Sequence, residues 1–248
     1  MIIRKSNREL DLMRTPNKIV AETHEFLAEK IAPGITTKEL DRLAEEFIRD
    51  YDAEPAFKGY QGFPATVCVA VNEQVVHGIP GQRCLESGDI IGLDLGAVKH
   101  GYYGDAARTL AVGDISKQAQ ELMQVTKDAL ELGIEQAVEG NKLSDISHAV
   151  QTHAEAADFS VVRRFVGHGI GTEMHESPQI PNYGPPGRGP TLKAGMTLAI
   201  EPMVNVGGYK VETLDDGWTV VTKDRELSSH FEHTIAITES GPEILTLI

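Results

Sequence analysis

The most restrictive feature of this sequence is that one order of segments occurs twice along it. A pair of segments with helical periodicity is followed by short β-rich runs between glycines, and the same order then returns. Such a repeat predicts two α/β halves that share a continuous sheet with helices on the outside. We infer one domain over residues 1–248, with repeats of about 1–113 and 114–248. The predicted helices occupy residues 7–31, 36–51, 116–138 and 143–157.

Acidic residues recur at matching places in the two halves. A glycine stands six residues before Asp94, and another stands six residues before Glu201. The run Thr-Leu-Ala-Val follows Asp105, and the similar run Thr-Ile-Ala-Ile follows Glu232. Because these matches occur in the same order in both halves, they favour an internal duplication with pseudo-twofold symmetry over chance similarity.

The apolar surroundings of these carboxylates need an explanation. Asp94 and Glu201 lie among aliphatic neighbours, where an unpaired ionised carboxylate is unfavourable. A single buried carboxylate is most often held by an ion pair or by backbone hydrogen bonds. Four of them near one symmetry axis would repel one another strongly, and two divalent cations would balance the four charges. The pattern therefore predicts a dinuclear site of mostly oxygen ligands, suited to Mn, Fe or Co and usable by Zn.

The segment FVGHGIGTEMHE, residues 165–176, contains two histidines seven residues apart. We expect its three glycines to exclude helix and strand alike and to let the backbone approach a ligand closely. His168 is then the candidate nitrogen ligand, and His175 can lie across a substrate. Without the carboxylates, two such histidines are more often ordinary surface residues.

Composition restricts the partners of the chain. Its 37 acidic and 23 basic residues give a formal charge of -14, which argues against binding to nucleic acid or to an anionic membrane. The chain shows neither a signal sequence nor an apolar stretch long enough to span a bilayer, so we expect a cytoplasmic protein with reduced Cys68 and Cys84. The Pro/Gly-rich residues 181–190 are expected to be an exposed connector.

The motifs GHGIGTEMHE, AIEPM and FEHTIAI, with the pair Asp94 and Asp105, resemble those of the type I methionine aminopeptidases over nearly the whole chain. The resemblance implies the pita-bread fold, in which helices cover a curved, mostly antiparallel sheet. It also implies removal of the first methionine from nascent proteins and peptides whose second residue is Gly, Ala, Ser, Pro, Thr or Val. A monomer with transient contact to the ribosome would fit this activity.

The resemblance implies five ligands for two divalent ions, which can be Co, Mn, Fe or Zn. Asp105 and Glu232 would bridge the ions, Asp94 would chelate one, and His168 with Glu201 would complete the other. A water or hydroxide bridging the metals would attack the scissile carbonyl. Glu201 matches the residue that carries the proton from this water to the leaving amine.

Further residues match positions that contact the substrate in this family. His175 corresponds to the histidine that hydrogen-bonds the scissile carbonyl oxygen, and His77 to the one near the scissile amide nitrogen. Phe63 stands where tyrosine is frequent, and Met174 stands where phenylalanine is frequent. The implied methionine pocket is lined by Tyr60, Phe63, Cys68 and Trp218, which without the resemblance would be ordinary core residues.

Two other interpretations remain open from the sequence. A proline-specific relative, such as an Xaa-Pro aminopeptidase or a prolidase, shares the fold and the five ligands but usually carries an additional N-terminal domain. A non-catalytic binding protein with the pita-bread fold usually lacks some of the ligands.

Overall fold

A computed structural model describes residues 2–247 of the chain. Its helices are α1 (Asn7–Ala28), α2 (Thr37–Asp50), α3 (Lys117–Glu135) and α4 (Leu143–Ala156), and a short 3-10 helix covers Tyr60–Gly62. The strands are β1 (Glu54–Pro55), β2 (Val67–Val71), β3 (Gln74–Val76), β4 (Ile90–Lys99), β5 (Tyr102–Ala111), β6 (Ser160–Val161), β7 (Gly167–Gly169), β8 (Glu176–Ile180), β9 (Thr197–Ile200), β10 (Met203–Asn205), β11 (Val211–Thr213), β12 (Val220–Thr222), β13 (Ser228–His230), β14 (Glu232–Thr238) and β15 (Gly241–Ile244).

The predicted helices occur where the sequence placed them, each within a few residues of its expected ends. Helix α1 begins after Ser6, whose hydroxyl accepts from the backbone N–H of Glu9 while the Glu9 carboxylate accepts from the Ser6 N–H. Thr36 caps α2 and Ser116 caps α3 in the same way through their hydroxyls. Within residues 2–247, no helix has both the length and the apolar character needed to cross a bilayer.

The central sheet is antiparallel at every pairing described, in the order β1-β4-β5-β14-β9-β7-β8, with β2 also paired to β4 and β15 to β14. Strands β4 and β5 join through His100 and Gly101, which both have positive φ angles (56° and 78°), as a tight hairpin requires. Strand β5 begins at Tyr102, directly after this turn. Asp105 therefore lies inside a strand.

Each helix pair covers one half of this sheet. Leu27 of α1 and Leu40 of α2 pack in one buried cluster with Leu93 of β4. Leu130 of α3 packs in a second cluster with Leu198 of β9. Because side chains alternate along a strand, the residues next to these leucines face away from the helices. The duplication of the two halves stays a prediction.

The expected absence of regular structure in residues 165–176 is wrong for Gly167–Gly169, which form β7 between β8 and β9. A Cβ atom on Gly167 would lie 2.3 Å from the carbonyl oxygen of Ala199, and one on Gly169 would lie 2.3 Å from that of Ser177. Here glycine permits a strand, because the neighbouring backbones lie too close for a side chain.

Candidate active site

Three acidic side chains lie together on the sheet face that points away from the helices. Ala107 of β5 pairs with Asp94 of β4 on one side and with Glu232 of β14 on the other. Asp105 precedes Ala107 by two residues, so it points to the same face. The short side chain of Ala107 leaves the space between the carboxylates open.

Glu201 and His168 complete this group from neighbouring strands. Glu201 follows the last residue of β9, and His168 in β7 pairs with Ala199 of the same strand. Nε2 of His168 lies 3.7 Å from Oδ2 of Asp105 and 3.6 Å from Oε1 of Glu201. Its Nδ1 donates to the carbonyl of Gly169 at 2.9 Å, which leaves the lone pair on Nε2, facing the carboxylates.

The buried oxygens of this group lack protein partners. Oδ1 of Asp94, Oδ1 of Asp105 and Oε1 of Glu232 accept no hydrogen bond from any residue in the range 2–247. One candidate atom from each of Asp105, His168 and Glu232 lies within 4.8 Å of the others. Buried polar atoms are normally satisfied, so unpartnered carboxylate oxygens around a neutral imidazole fit a divalent cation.

Electrostatics leads to the same conclusion. Burial raises the pKa of Asp94 to about 8. Burial and then repulsion from neighbouring carboxylates raise the pKa values of Asp105 and Glu232 well above the ordinary range, and the pKa of Glu201 is raised by burial and by Asp94. Burial lowers the pKa of His168 to about 4, so its imidazole is neutral at pH 7. Cations among these groups would remove the repulsion that favours their protonation.

A cavity of about 250 Å³ opens beside the carboxylates. Every residue that the sequence assigned to the site lies on its wall, as does Met174, which the sequence analysis noted beside His175. Phe57 and Gln61 also line the cavity and had no assigned contact. The assigned residues are Tyr60, Phe63, Cys68, His77, Asp94, Asp105, His168, His175, Glu201, Trp218 and Glu232.

Two imidazoles border this cavity besides that of His168. The His175 ring lies 4.2 Å from the His168 ring, centroid to centroid, and its Nδ1 is 2.8 Å from the hydroxyl of Tyr60. His77 has a φ angle of 61°, which is uncommon for a residue with a side chain. Burial, then the charges of His175 and Arg164, lowers the pKa of His77 to about 4, and burial also lowers the pKa of His175.

The far end of the cavity is apolar. Phe63 meets Trp218 edge-on with ring centroids 5.2 Å apart. Phe63 belongs to a buried cluster with Cys68, and Trp218 packs against this cluster. Cys68 of β2 pairs with Asp94 of β4, so the apolar wall continues up to the carboxylates. Burial raises the pKa of the Cys68 thiol, so it is uncharged, and both Cys68 and Cys84 are free thiols in the described structure.

The sequence missed two neighbours of Glu201. Asn182 is only 1% exposed, and its Nδ2 donates to the backbone carbonyl of Glu201 at 3.0 Å. The expectation that residues 181–190 only connect two elements is therefore wrong at Asn182. His230 is also buried, with Nε2 4.0 Å from Oε2 of Glu201. No local pattern marks either residue, because both reach Glu201 only through the packing of separate segments.

Comparison with known proteins agrees with this geometry. The model of metallopeptidase family M24 matches residues 11–239. A methionine aminopeptidase from Clostridium perfringens is 58% identical over 248 residues, a match that covers 100% of both chains. The crystal structure of methionine aminopeptidase from Thermotoga maritima superimposes with a TM-score of 0.99 at 46% identity, again over 100% of both chains. The chain belongs to metallopeptidase family M24, and within that family its relatives are methionine aminopeptidases.

A more distant likeness shows the fold alone. Prolidase from Pyrococcus furiosus superimposes with a TM-score of 0.80 at 24% identity, over 99% of this chain and 66% of that one. Together these structures confirm the pita-bread fold that the sequence predicted.

Proposed function

We propose that this protein is a metal-dependent hydrolase that removes the N-terminal methionine from proteins and peptides whose second residue is Gly, Ala, Ser, Pro, Thr or Val. The observation that carries the proposal is a group of four carboxylates and a neutral imidazole at one end of a cavity whose other end is apolar. The full-length relatives named methionine aminopeptidase support the same activity.

The donor set fits two divalent cations. Asp105 and Glu232, whose buried oxygens lack partners among residues 2–247, would be shared between the ions. Asp94 would complete one site, and His168 with Glu201 would complete the other. Carboxylate and imidazole ligands accept Co, Mn, Fe and Zn, so availability decides which metal is used. When bound, such ions polarise a carbonyl group and make water a nucleophile at neutral pH.

The protein's own side chains supply the proton transfers. The Glu201 carboxylate borders the cavity and can accept a proton from the attacking water and return it to the leaving amine. Nδ1 of His175 lies 2.8 Å from the Tyr60 hydroxyl, and we assign the hydroxyl as the donor, which places the proton of the neutral His175 ring on Nε2. That N–H then stabilises the negative charge that develops on the scissile carbonyl oxygen. His77 binds near the scissile amide nitrogen.

Specificity follows from the two ends of the cavity. Phe63, Cys68 and Trp218 provide an apolar wall with aromatic faces, which suits a flexible, polarizable thioether side chain. Met174, only 1% exposed, extends this wall. The substrate's free amine binds at the carboxylate end, which restricts cleavage to the first residue. Free N-termini of newly made chains are the natural substrates, and we place the enzyme in the cytoplasm as a monomer that contacts the ribosome transiently.

The two other interpretations are not favoured. Proline-specific enzymes such as the prolidase from Pyrococcus furiosus are more distant likenesses, which show the fold and no substrate. A non-catalytic binding protein does not need metal ligands, whereas all five donors border one cavity here.

The test is turnover of the peptides Met-Ala-Ser and Ala-Pro-Ala by metal-free protein titrated separately with Mn²⁺, Fe²⁺, Co²⁺ and Zn²⁺. We expect cleavage of Met-Ala-Ser alone, rising until about two ions per chain are bound. Preferential cleavage of Ala-Pro-Ala would assign the protein to the proline-specific branch. The absence of turnover with every metal, in protein that binds them, would contradict an enzymatic role.

A further inference from the structure

A buried ion pair connects the start of the chain to the segment that carries His175. Nζ of Lys5 contacts Oε2 of Glu176, and the two side chains are only 2% and 6% exposed. The partners are 171 residues apart in sequence. Exposed ion pairs contribute little to stability, but breaking a buried pair by removing one partner is strongly destabilising. Removal of either partner would therefore leave a buried charge without its counter-ion.

The other oxygen of Glu176 organises the loop in front of it. Oε1 accepts from the backbone N–H of Thr172 at 2.9 Å and from that of Glu173 at 3.4 Å. Thr172, Glu173 and His175 are exposed residues, whereas Met174 between them is buried in a cluster with Leu10 and Met13. The Glu176 carboxylate thus holds the backbone of this loop by hydrogen bonds, and His175 precedes Glu176 directly in sequence.

The Lys5 side of the pair is also fixed. The Lys5 N–H donates to the carbonyl of Gly195 at 2.6 Å, and the Gly195 N–H donates to Ile237 in β14 at 2.8 Å. A Cβ atom on Gly171 would lie 2.5 Å from Nζ of Lys5 and 2.5 Å from Oε1 of Glu176. The third glycine of the motif GHGIGTEMHE therefore leaves room for the ion pair at this position.

We propose that Lys5 and Glu176 form a positioning pair that fixes the place of His175 relative to the metal ligands. The chain from β14 through Gly195 and Lys5 to Glu176 joins the strand that begins with Glu232 to the loop that carries His175. Neither Lys5 nor Glu176 lines the cavity, so the pair acts through His175 and not on the substrate. A small displacement of a catalytic group lowers the rate of the chemical step more than it lowers binding.

The proposal rests on the proposed function for its kinetic test, and an exchange measurement tests it separately. In metal-loaded Lys5→Met protein we expect kcat for Met-Ala-Ser to fall about 10- to 100-fold with KM changed by less than about 3-fold. Metal content should be unchanged, and hydrogen exchange across residues 172–176 should be faster. Lys5→Arg restores the charge and should recover most of the rate.

Two further variants separate positioning from simple destabilisation. In Lys5→Met with Glu176→Gln no charge is left unpaired, and the glutamine oxygen can still accept from Thr172 and Glu173, so folding should be retained. We expect this double variant to stay slow, because the tie to Lys5 is still missing. Lys5→Met in a His175→Ala background should cause little additional loss of kcat, since both substitutions remove the same contribution.

Arg14→Met is a control for the loss of a basic residue and its exposed ion pair near the start of the chain. It breaks another ion pair of the N-terminal region, in which Arg14 Nε lies 2.8 Å from Oε1 of Glu243 in β15, away from the 172–176 loop. Its kcat and its exchange in residues 172–176 should be those of the wild type.

Normal kcat in the folded double variant, or an equal fall in the Arg14→Met control, would overturn the positioning role. If the wild type itself left Met-Ala-Ser intact, the proposed function would fail. Hydrogen exchange would then be the only test of the positioning pair. Faster exchange across residues 172–176 in Lys5→Met would support the pair, and unchanged exchange would reject it.

Discussion

The hydroxyl of Tyr60 lies 2.8 Å from Nδ1 of His175, and the two rings stack with centroids 5.4 Å apart. Tyr60 opens the 3-10 helix that precedes β2, and His175 comes just before β8, so the contact joins segments 115 residues apart. With the hydroxyl as donor, the proton of the neutral His175 ring would lie on Nε2, and Tyr60 would then act together with the proposed catalytic residue.

We expect Tyr60→Phe to lower kcat for Met-Ala-Ser by about 3- to 10-fold, the equivalent of one lost hydrogen bond. The ring and its stacking on His175 are retained, so KM should change little. Tyr102→Phe is a suitable control, because that hydroxyl donates to Glu9 at 3.2 Å and lies outside the cavity. Equal kinetics for Tyr60→Phe and wild type would show that the hydroxyl does not orient His175.

His175→Ala should reduce kcat by roughly 10²–10³-fold with metal content intact, as expected for loss of one donor to the developing oxyanion. Steady-state kinetics and metal analysis of the same preparation check this. Loss of metal from the variant would instead make His175 a ligand and would contradict the division of roles between it and His168.

Asp105→Ala or Glu232→Ala should abolish turnover and release metal, since both residues lie at the centre of the carboxylate group. Isothermal titration with Mn²⁺ measures the affinity directly. As a control, Asp11→Ala removes an exposed carboxylate of α1 and should leave affinity and rate unchanged. Wild-type turnover with normal metal content in either site variant would exclude the dinuclear assignment.

Selectivity for a small second residue should appear in the series Met-X-Ser-Lys at fixed metal concentration. His77 and His175 border the same cavity, and a bulky X would displace the scissile carbonyl between them. A displacement of about 1 Å can lower the rate on the order of 10²-fold. We therefore expect kcat/KM for X = Ala to exceed that for X = Leu by at least this factor, and comparable values would refute the steric argument.

His24 should make the folded protein sensitive to acid. Burial lowers its pKa from 6.5 to about 3, and Nε2 hydrogen-bonds the carbonyl of Ala106 at 3.0 Å. Between these pH values the unfolded chain binds a proton at His24 that the folded protein does not. The stability contributed by this group is therefore full above pH 6.5 and falls towards pH 3, by up to about 1.4 kcal/mol per pH unit.

His24→Gln keeps a donor for Ala106 and cannot be protonated in this range. Urea unfolding of both proteins between pH 3.5 and 7 measures the difference in slope of the unfolding free energy, with changes common to both proteins removed by the comparison. A variant whose stability falls with pH as steeply as that of the wild type would show that His24 is not responsible.

The sequence by itself determined the elements and the chemistry of this protein. Helical periodicity is local information, so the helices could be predicted to within three residues of their ends. The carboxylates were recognisable because buried acidic residues in apolar strands need partners, as with Asp94 and Glu201. All eleven residues assigned to the site line the one cavity described beside these carboxylates.

Only the tertiary structure decided how these residues are held. The register that sets Ala107 between Asp94 and Glu232, the Asn182 bond to the Glu201 backbone and the buried pair of Lys5 with Glu176 all join segments distant in sequence. Contacts of this kind have no period and no local motif. They form only after the strands have paired and the segments around the sheet have packed, because buried polar groups then bond to whichever segments lie beside them.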